Sequence, residues 1–183
     1  MNKKVMIAEI DNLKLVRSDD YNYTFNKRTG FFSRWGKTEE DDPTMAPAPE
    51  IADIEISTIC NMKCKACYKT NTDCGINMSI DTLSSILDKF PKILTQVAYG
   101  IGSVKGNPDL WKILDYTRNK GIIPNITING HNIDSSEIDK LSELCGAIAV
   151  SNYNTDECYD SVNKIANASL KRTVKVRRKK KAI

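Results

Sequence analysis

Apolar and polar side chains alternate in the stretch Ile51-Ala52-Asp53-Ile54-Glu55-Ile56-Ser57-Thr58-Ile59. Such alternation over a short run is typical of a β-strand with one buried face. Beyond it the chain repeats a short apolar run followed by an amphipathic helical pattern, and residues 50–169 contain about four of these βα units. Strands that alternate with helices predict a parallel sheet, so this stretch indicates an α/β fold.

The later units are delimited by local start and stop signals. Further strands are predicted at residues 96–99, 125–128 and 147–150. The helices are predicted to begin at four capping signals, which are Ser79, Asn107, Asp134 and Thr155. Right-handed crossovers bring the carboxyl ends of successive parallel strands to one edge of the sheet, where ligand sites of such folds collect.

Four segments are predicted along the chain. They are an N-terminal β-hairpin appendage (1–38), an acidic and proline-rich linker (39–49), the α/β domain (50–169) and a basic tail (170–183). Aromatic residues of the appendage alternate with polar ones, which predicts an aromatic face packed on the main domain; a substrate-binding flap is the alternative. Residues 170–176 allow one more strand, and the lysine run after them is predicted to be a disordered, solvated tail.

The charge of the chain is unevenly distributed. The 183 residues carry 27 Lys and Arg against 23 Asp and Glu, a net charge of +4, but eight of the basic residues lie in residues 171–183. The body is therefore mildly acidic, and the strongly basic tail allows salt-sensitive contact with the phosphates of a nucleic acid. No apolar run has the length of a membrane span or a secretory signal, so a cytoplasmic location without membrane contact is expected.

The chemistry of the chain is predicted to lie in a cysteine-rich loop after the first strand of the α/β domain. Three of the six cysteines, Cys60, Cys64 and Cys67, have Cys-x3-Cys-x2-Cys spacing. Thiolates are the usual ligands of iron–sulfur clusters, and three at this spacing can wrap one face of a cubane. The alternative is a structural zinc site with Cys74 as the fourth ligand, although structural zinc usually takes paired Cys-x2-Cys knuckles.

This loop resembles the signature of the radical S-adenosylmethionine (radical SAM) superfamily. The resemblance implies that Cys60, Cys64 and Cys67 hold three irons of a [4Fe-4S] cluster and that S-adenosylmethionine chelates the remaining iron. It implies reductive cleavage of the sulfonium to a 5′-deoxyadenosyl radical, which starts radical chemistry on a substrate. A flavodoxin-like or ferredoxin-like electron donor is the implied partner. The substrate stays open, with a peptide or a protein within the range of the family.

The same resemblance assigns residues to the cosubstrate. Gly100, Ile101, Gly102 and Ser103 stand where the family usually has Gly-Gly-Glu, which holds the amino group, but the glutamate is missing here. Three other positions are matched to cosubstrate contacts that follow the cysteines and the later strands, namely Tyr68, Asn129 and Ser151. These seven residues are the predicted contacts of S-adenosylmethionine.

Three further residues with reactive side chains are interpreted as structural. His131, the only histidine, is predicted to be a loop residue, because no partner is evident in the sequence. Cys145 and Cys158 lie at apolar positions of predicted helices, so both are expected to be buried thiols.

The resemblance covers residues 50–162, and a radical SAM core contains more βα units than this chain supplies. It therefore implies a partial (β/α) barrel that is truncated at its C-terminal side. Two alternatives stay open. One is a truncated or degenerate member that binds a cluster or S-adenosylmethionine without catalysis. The other is a zinc-stabilised nucleic-acid-binding protein.

Overall fold

The computed structural model of the protein describes residues 5–38, 40–43, 45–64, 67, 69–151 and 156–179. Within these ranges the chain forms two four-stranded sheets and four α-helices. The antiparallel sheet consists of β1 (Met6–Ile10), β2 (Leu13–Arg17), β3 (Asn22–Asn26) and β4 (Phe32–Trp35). The parallel sheet consists of β5 (Ile51–Glu55), β6 (Gln96–Gly100), β7 (Ile123–Ile128) and β8 (Ile148–Val150). The helices are α1 (Ile80–Leu87), α2 (Leu110–Asn119), α3 (Ser135–Leu144) and α4 (Asp156–Lys179).

The strands of the parallel sheet lie in the same order in space as in sequence, β5-β6-β7-β8. One helix follows each strand, and consecutive helices contact each other. All four helices share one buried cluster with one face of the sheet; its members include Leu83, Leu110, Ile138, Ile165, Val97, Tyr99 and Ile126. The predicted α/β fold is therefore confirmed, and its helices pack on the same face of the sheet.

Two helix starts follow the local hydrogen bonds that the sequence predicts. The Ser79 hydroxyl accepts a hydrogen bond from Thr82 N at 3.2 Å, and Ser79 is the N-cap of α1. Asp134 Oδ1 accepts from Glu137 N at 3.0 Å, while Glu137 Oε2 accepts from Asp134 N at 3.0 Å. This reciprocal pair is a capping box, which satisfies backbone N–H groups that have no partner in the first turn of a helix.

Strand β5 is shorter than the alternating pattern indicates. It ends at Glu55, and the residues after it pair with the returning chain instead. Ser57 and Ile59 form isolated bridges with Asn77 and Thr72, respectively. The second half of the alternating run therefore leaves the parallel sheet and supports the loop that carries the cysteines.

Helix α4 is longer than the sequence predicts. It runs from Asp156 to Lys179, so residues 170–176 do not form the further strand that the sequence allows. The predicted cap Thr155 and the end of the lysine run, residues 180–183, lie outside the described residues. Among the helices of the described chain, none is both long enough and apolar enough to cross a membrane.

The antiparallel sheet packs against the amino edge of the parallel sheet. Its buried aromatic residues Tyr23 and Phe25 share a cluster with Ile93, which precedes β6, and with Ile123, the first residue of β7. The Tyr23 hydroxyl donates a hydrogen bond to the Ile93 carbonyl at 2.5 Å. The predicted packing of an aromatic face on the main domain is confirmed, and it lies at the edge opposite the carboxyl ends of the parallel strands.

Lys14 joins the two sheets from inside this interface. It is only 2% exposed, and its Nζ donates to the Leu94 carbonyl at 2.7 Å and lies 3.6 Å from the Glu9 carboxylate. Burial is the main cause that lowers the pKa of this ammonium, and the Glu9 charge opposes the effect. The group is thus a buried cation that is held by a carbonyl and one carboxylate.

We expect Lys14→Ala to lower the free energy of unfolding by about 1–3 kcal/mol, because it leaves the Leu94 carbonyl without its donor. Lys14→Met should cost less, since it fills the space and also removes the desolvation cost of the charge. Lys92→Ala is the control, because Lys92 is an exposed lysine near the same edge. Urea unfolding measures all three. Equal midpoints for Lys14→Ala and Lys92→Ala would contradict the role of Lys14.

Candidate functional site

One face of the parallel sheet is polar and carries none of the buried helix contacts of the described chain. The register places six residues side by side on this face, which are Asp53, Glu55, Ala98, Gly100, Asn125 and Thr127. They alternate along the strands with the residues of the buried cluster, as the period of a strand requires. Asn125 Nδ2 donates to Gln96 Oε1 at 2.9 Å across the same face. The sheet therefore presents a hydrophilic surface opposite its helices.

The described part of the cysteine loop, residues 60–64 and 67, lies at the carboxyl edge of this sheet. Cys60 N donates to the Thr72 carbonyl at 2.8 Å, which pins the start of the loop to the returning chain. The buried Asn107 donates through Nδ2 to the Ile56 carbonyl at 2.7 Å. The segment between β5 and the cysteines is thus held by contacts that are distant in sequence.

The loop that follows β6 lies against Cys60. A Cβ atom placed on Gly102 would lie 2.8 Å from Cys60 Cβ and 3.0 Å from Cys60 Sγ, so only glycine leaves room here. The Gly102 carbonyl accepts a hydrogen bond from Asn129 N at 2.9 Å. The segments after β5, β6 and β7 therefore meet at Gly102.

Cys64 and Cys67 belong to one turn of the cysteine loop, in which Cys67 N donates to the Cys64 carbonyl at 3.1 Å. The backbone N–H of Asn71 and then that of Lys69 lower the pKa of the Cys67 thiol below its ordinary value, with a further contribution from Thr70. These donors favour the thiolate because they hydrogen-bond to the charged sulfur. The thiolate of Cys67 is thus favoured relative to that of an ordinary cysteine.

The three cysteines are free thiols and half-buried, whereas Cys74 is exposed. Within the described chain, no three Cys, His, Asp or Glu side chains are arranged to hold one metal ion. The structure therefore brings Cys60, Cys64 and Cys67 into one loop without directing their sulfurs to one point.

The same edge carries a carboxylate that the sequence did not single out. Glu55, the last residue of β5, lies 3.4 Å from Lys69 Nζ, and this ammonium fills the space that a Cβ of Gly100 would need. Glu55 Oε1 is buried, and the ion pair does not have the geometry of a hydrogen bond to it. The half-buried Glu55 carboxylate and the Gly100 backbone thus form a small space that holds an ammonium group. Its position at the carboxyl end of a strand is the signal that would have found it.

Two predicted cosubstrate contacts after β6 are already engaged in the fold. The Ile101 side chain is 5% exposed and belongs to the buried cluster, so only its backbone can meet a ligand. The Ser103 hydroxyl accepts from Lys105 N at 3.2 Å and caps a short 3-10 helix (Val104–Gly106).

The predicted contacts after β7 and β8 also have local partners. Asn129 is buried, and its Oδ1 accepts from His131 N at 2.9 Å. Ser151 N donates to the Ile128 carbonyl at 2.8 Å, which leaves the half-buried Ser151 side chain at the edge of the sheet. Tyr68 lies outside the described residues.

His131 has partners that the sequence did not reveal. It is a loop residue, as predicted, but its Nδ1 lies 2.6 Å from Glu157 Oε2 and its Nε2 lies 3.6 Å from Cys158 Sγ. Cys158 and Cys145 are both buried, as expected. These partners are not evident in the sequence, because they lie 26 and 27 positions away along the chain.

No protein-family model, curated protein or solved structure matches this chain. The residues at the carboxyl edge of the parallel sheet, rather than a relative, therefore carry the assignment of a function.

The close approach of Gly102 to Cys60 gives a direct test of this geometry. We expect Gly102→Ala to displace the cysteine loop and to lower the free energy of unfolding by roughly 1–3 kcal/mol, because the new methyl group overlaps Cys60. Gly106→Ala is a matched control, since its Cβ would lie 3.4 Å from the Ile59 carbonyl and neither glycine has a positive φ. Thermal unfolding and the alkylation rate of Cys60 measure the effect. Equal behaviour of the two variants would contradict the contact.

Proposed function

We propose that this protein is a radical SAM enzyme that uses a [4Fe-4S] cluster to cleave S-adenosylmethionine reductively. One observation carries the proposal. A Cys-x3-Cys-x2-Cys loop leaves the carboxyl edge of a parallel sheet whose strands follow chain order, and the next loop of that sheet packs on its first cysteine through Gly102. Ligand sites of parallel α/β folds collect at that edge.

The donor set supports a cluster by its chemistry. Cys60, Cys64 and Cys67 are free, half-buried thiols, and the backbone N–H of Asn71 heads the donors that favour the thiolate of Cys67. Metal binding is coupled to the ordering of the ligands, because a site rarely exists before the chain is ordered around the metal. We therefore expect the loop to close around the cluster on binding and to direct the three sulfurs to it. When bound, the cluster supplies the electron that breaks the sulfonium.

The neighbouring loops provide groups for the cosubstrate. Gly100 ends β6 and Gly102 lies in the loop that follows it, so neither places a side chain at the edge, and Asn129 and Ser151 follow the next two strands. Glu55 provides the carboxylate that the Gly-x-Gly loop lacks: its buried oxygen faces the space now filled by the Lys69 ammonium, which suits the amino group of S-adenosylmethionine. The polar face of the sheet would then be the interior of a partial (β/α) barrel and the side from which the substrate is reached.

The remaining parts of the proposal concern partners and compartment. A one-electron donor of the flavodoxin or ferredoxin kind must reduce the cluster, and a peptide or a protein is the substrate class proposed. All six cysteines are free, and five of them are buried or half-buried. Free cysteines suit a reducing compartment such as the cytoplasm. The basic residues after 170 leave nonspecific nucleic-acid contact as a secondary property.

Anaerobic reconstitution with iron and sulfide tests the proposal. We expect about four irons per chain with thiolate-to-iron absorption, and 5′-deoxyadenosine and methionine after reduction in the presence of S-adenosylmethionine. A reconstituted protein that binds iron but leaves S-adenosylmethionine intact would be a non-catalytic member. A colourless protein that binds one zinc would contradict both the enzyme and the non-catalytic member.

A further inference from the structure

His131, Glu157 and Cys158 form a second group of reactive side chains, separate from the cysteine loop. Cys158 Sγ lies 3.6 Å from His131 Nε2, and His131 Nδ1 lies 2.6 Å from Glu157 Oε2. These distances are within hydrogen-bond range for a sulfur and for an oxygen, respectively. A nucleophile that contacts a base, which in turn contacts an orienting carboxylate, is the arrangement by which enzymes activate thiols and hydroxyls.

The carboxylate of this group is fixed in place by the backbone. Asn132 N donates to Glu157 Oε1 at 2.9 Å, and this bond is the main cause that lowers the pKa of Glu157, followed by its bond to His131. An ionised Glu157 accepts the Nδ1–H of the imidazole, which leaves Nε2 as the acceptor that faces the thiol. The tautomer that a general base needs is therefore the one that these contacts favour.

The thiol itself is held against the loop after β7. Cys158 is 2% exposed, and its Sγ also lies 3.7 Å from the Asn129 carbonyl, a second acceptor for the thiol proton. Ser161, one turn further along α4, donates to the Gly130 carbonyl at 2.5 Å and fixes the helix to the same loop. The three reactive side chains are thus carried by two elements that are bonded to each other.

Cys145 shows what burial does to a thiol without such a base. It is buried to a similar degree, 5% exposed, and desolvation raises its pKa to about 12. A thiol of that kind is inert at neutral pH, because the thiolate is the nucleophile. The contacts of Cys158 differ from those of Cys145 in one decisive respect, the imidazole nitrogen beside the sulfur.

We propose that Cys158, His131 and Glu157 form a nucleophilic thiol centre that accepts a small activated acyl group from an ester or a thioester. In this step Cys158 Sγ attacks the carbonyl carbon and its proton passes to His131 Nε2. The bond from that carbon to the leaving oxygen or sulfur breaks, and the leaving group takes the bonding pair and then the proton from His131. In the second half water gives a proton to His131 Nε2 and attacks the thioester carbon; the carbon–sulfur bond breaks, Cys158 Sγ takes the bonding pair and then the proton from His131, and no oxidant or reductant is consumed. Because Cys158 is buried, an acyl group as small as acetyl is the class of ligand.

Acetylation by p-nitrophenyl acetate tests this centre in the full chain without iron. Mass spectrometry of the digested protein gives the acetylation rate of each cysteine separately, which is needed because the thiols of the cysteine loop also react. We expect Cys158 to be acetylated at least about tenfold faster than Cys145 at neutral pH, since general base catalysis contributes roughly 100-fold or more. Equal rates at Cys158 and Cys145 would overturn the proposal.

Three substitutions separate the roles of His131 and Glu157. His131→Gln should reduce the acetylation of Cys158 to the rate of Cys145 and leave the acetylation of Cys67 unchanged. Glu157→Gln should reduce it partly, and Glu157→Asp should restore part of the rate, because Glu157 positions the imidazole and does not touch the substrate. Circular dichroism checks that each variant is folded. If His131→Gln unfolds, the comparison of Cys158 with Cys145 in the unaltered chain still decides. The result does not depend on whether the cysteine loop binds iron.

Discussion

Alanine at Cys60, Cys64 or Cys67 is expected to abolish the cluster. Each substitution leaves two thiolates in the loop, which cannot hold a cubane, so iron should fall from about four per chain to below about one after reconstitution. The formation of 5′-deoxyadenosine should be lost with it. Iron analysis and product chromatography on the same samples measure both quantities, and the three single variants should behave alike.

Cys74→Ala is the control that separates a cluster from a zinc site. Cys74 is exposed and lies seven residues after Cys67, and the zinc alternative requires it as the fourth ligand. If the three cysteines hold a [4Fe-4S] cluster, Cys74→Ala should retain iron and activity, because the fourth iron then takes no protein ligand. Loss of all bound metal in Cys74→Ala would contradict that reading and favour zinc. Full iron retention in Cys64→Ala would contradict both.

The sequence predicts the local parts of the fold because their causes are local. The capping box of Asp134 and Glu137 lies within four residues, and the cap at Ser79 reaches only to Thr82. The alternation of strands and helices likewise follows from periods that can be counted along the chain. Features that depend on one helical turn, or on the spacing of apolar residues, can therefore be predicted from the sequence alone.

The parts that could not be predicted depend on contacts between distant residues. The cap predicted at Asn107 is wrong, since α2 begins at Leu110 with Asp109 as its N-cap; the Asn107 side chain donates instead to the Ile56 carbonyl, 51 positions away. Strand β5 ends at Glu55 because Ser57 and Ile59 find partners in the returning chain. No count of apolar residues reveals these pairings, since they depend on how the elements meet in space.

The candidate site also has a part that the sequence predicts and a part that depends on contacts between distant residues. The spacing of Cys60, Cys64 and Cys67 is visible in the sequence, and so is their position after a strand. Glu55 was not singled out and His131 was interpreted as structural, because their contacts with Lys69 and Cys158 are made only in the fold. A polar residue at the carboxyl end of a parallel strand is the general signal that would have marked Glu55.

The antiparallel sheet packs on the amino edge of the parallel sheet, opposite the edge that carries the cysteines. Tyr23 is the central residue of this junction. The side chain is fully buried, its ring lies 5.1 Å from that of Phe32, and its hydroxyl donates to the Ile93 carbonyl at 2.5 Å. The ring therefore packs within its own sheet while the hydroxyl reaches the chain that leads into β6. Removal of the side chain disrupts both the small cluster and the junction.

We expect Tyr23→Ala to lower the free energy of unfolding by about 3–5 kcal/mol, because it empties a large buried site. For a chain of this size the melting temperature should fall by roughly 6–20 °C. Tyr23→Phe keeps the ring and removes only the donor to Ile93, so a loss of about 1–3 kcal/mol is expected. Phe31→Ala is the control, since Phe31 is 66% exposed in the same part of the chain and should change stability by less than about 0.5 kcal/mol.

Scanning calorimetry distinguishes these outcomes. If Tyr23→Ala melts with Phe31→Ala, the antiparallel sheet does not stabilise the α/β domain. If instead a single transition shifts as a whole, the two sheets unfold as one cooperative unit, and the edge that carries the cysteines depends on the edge that Tyr23 closes.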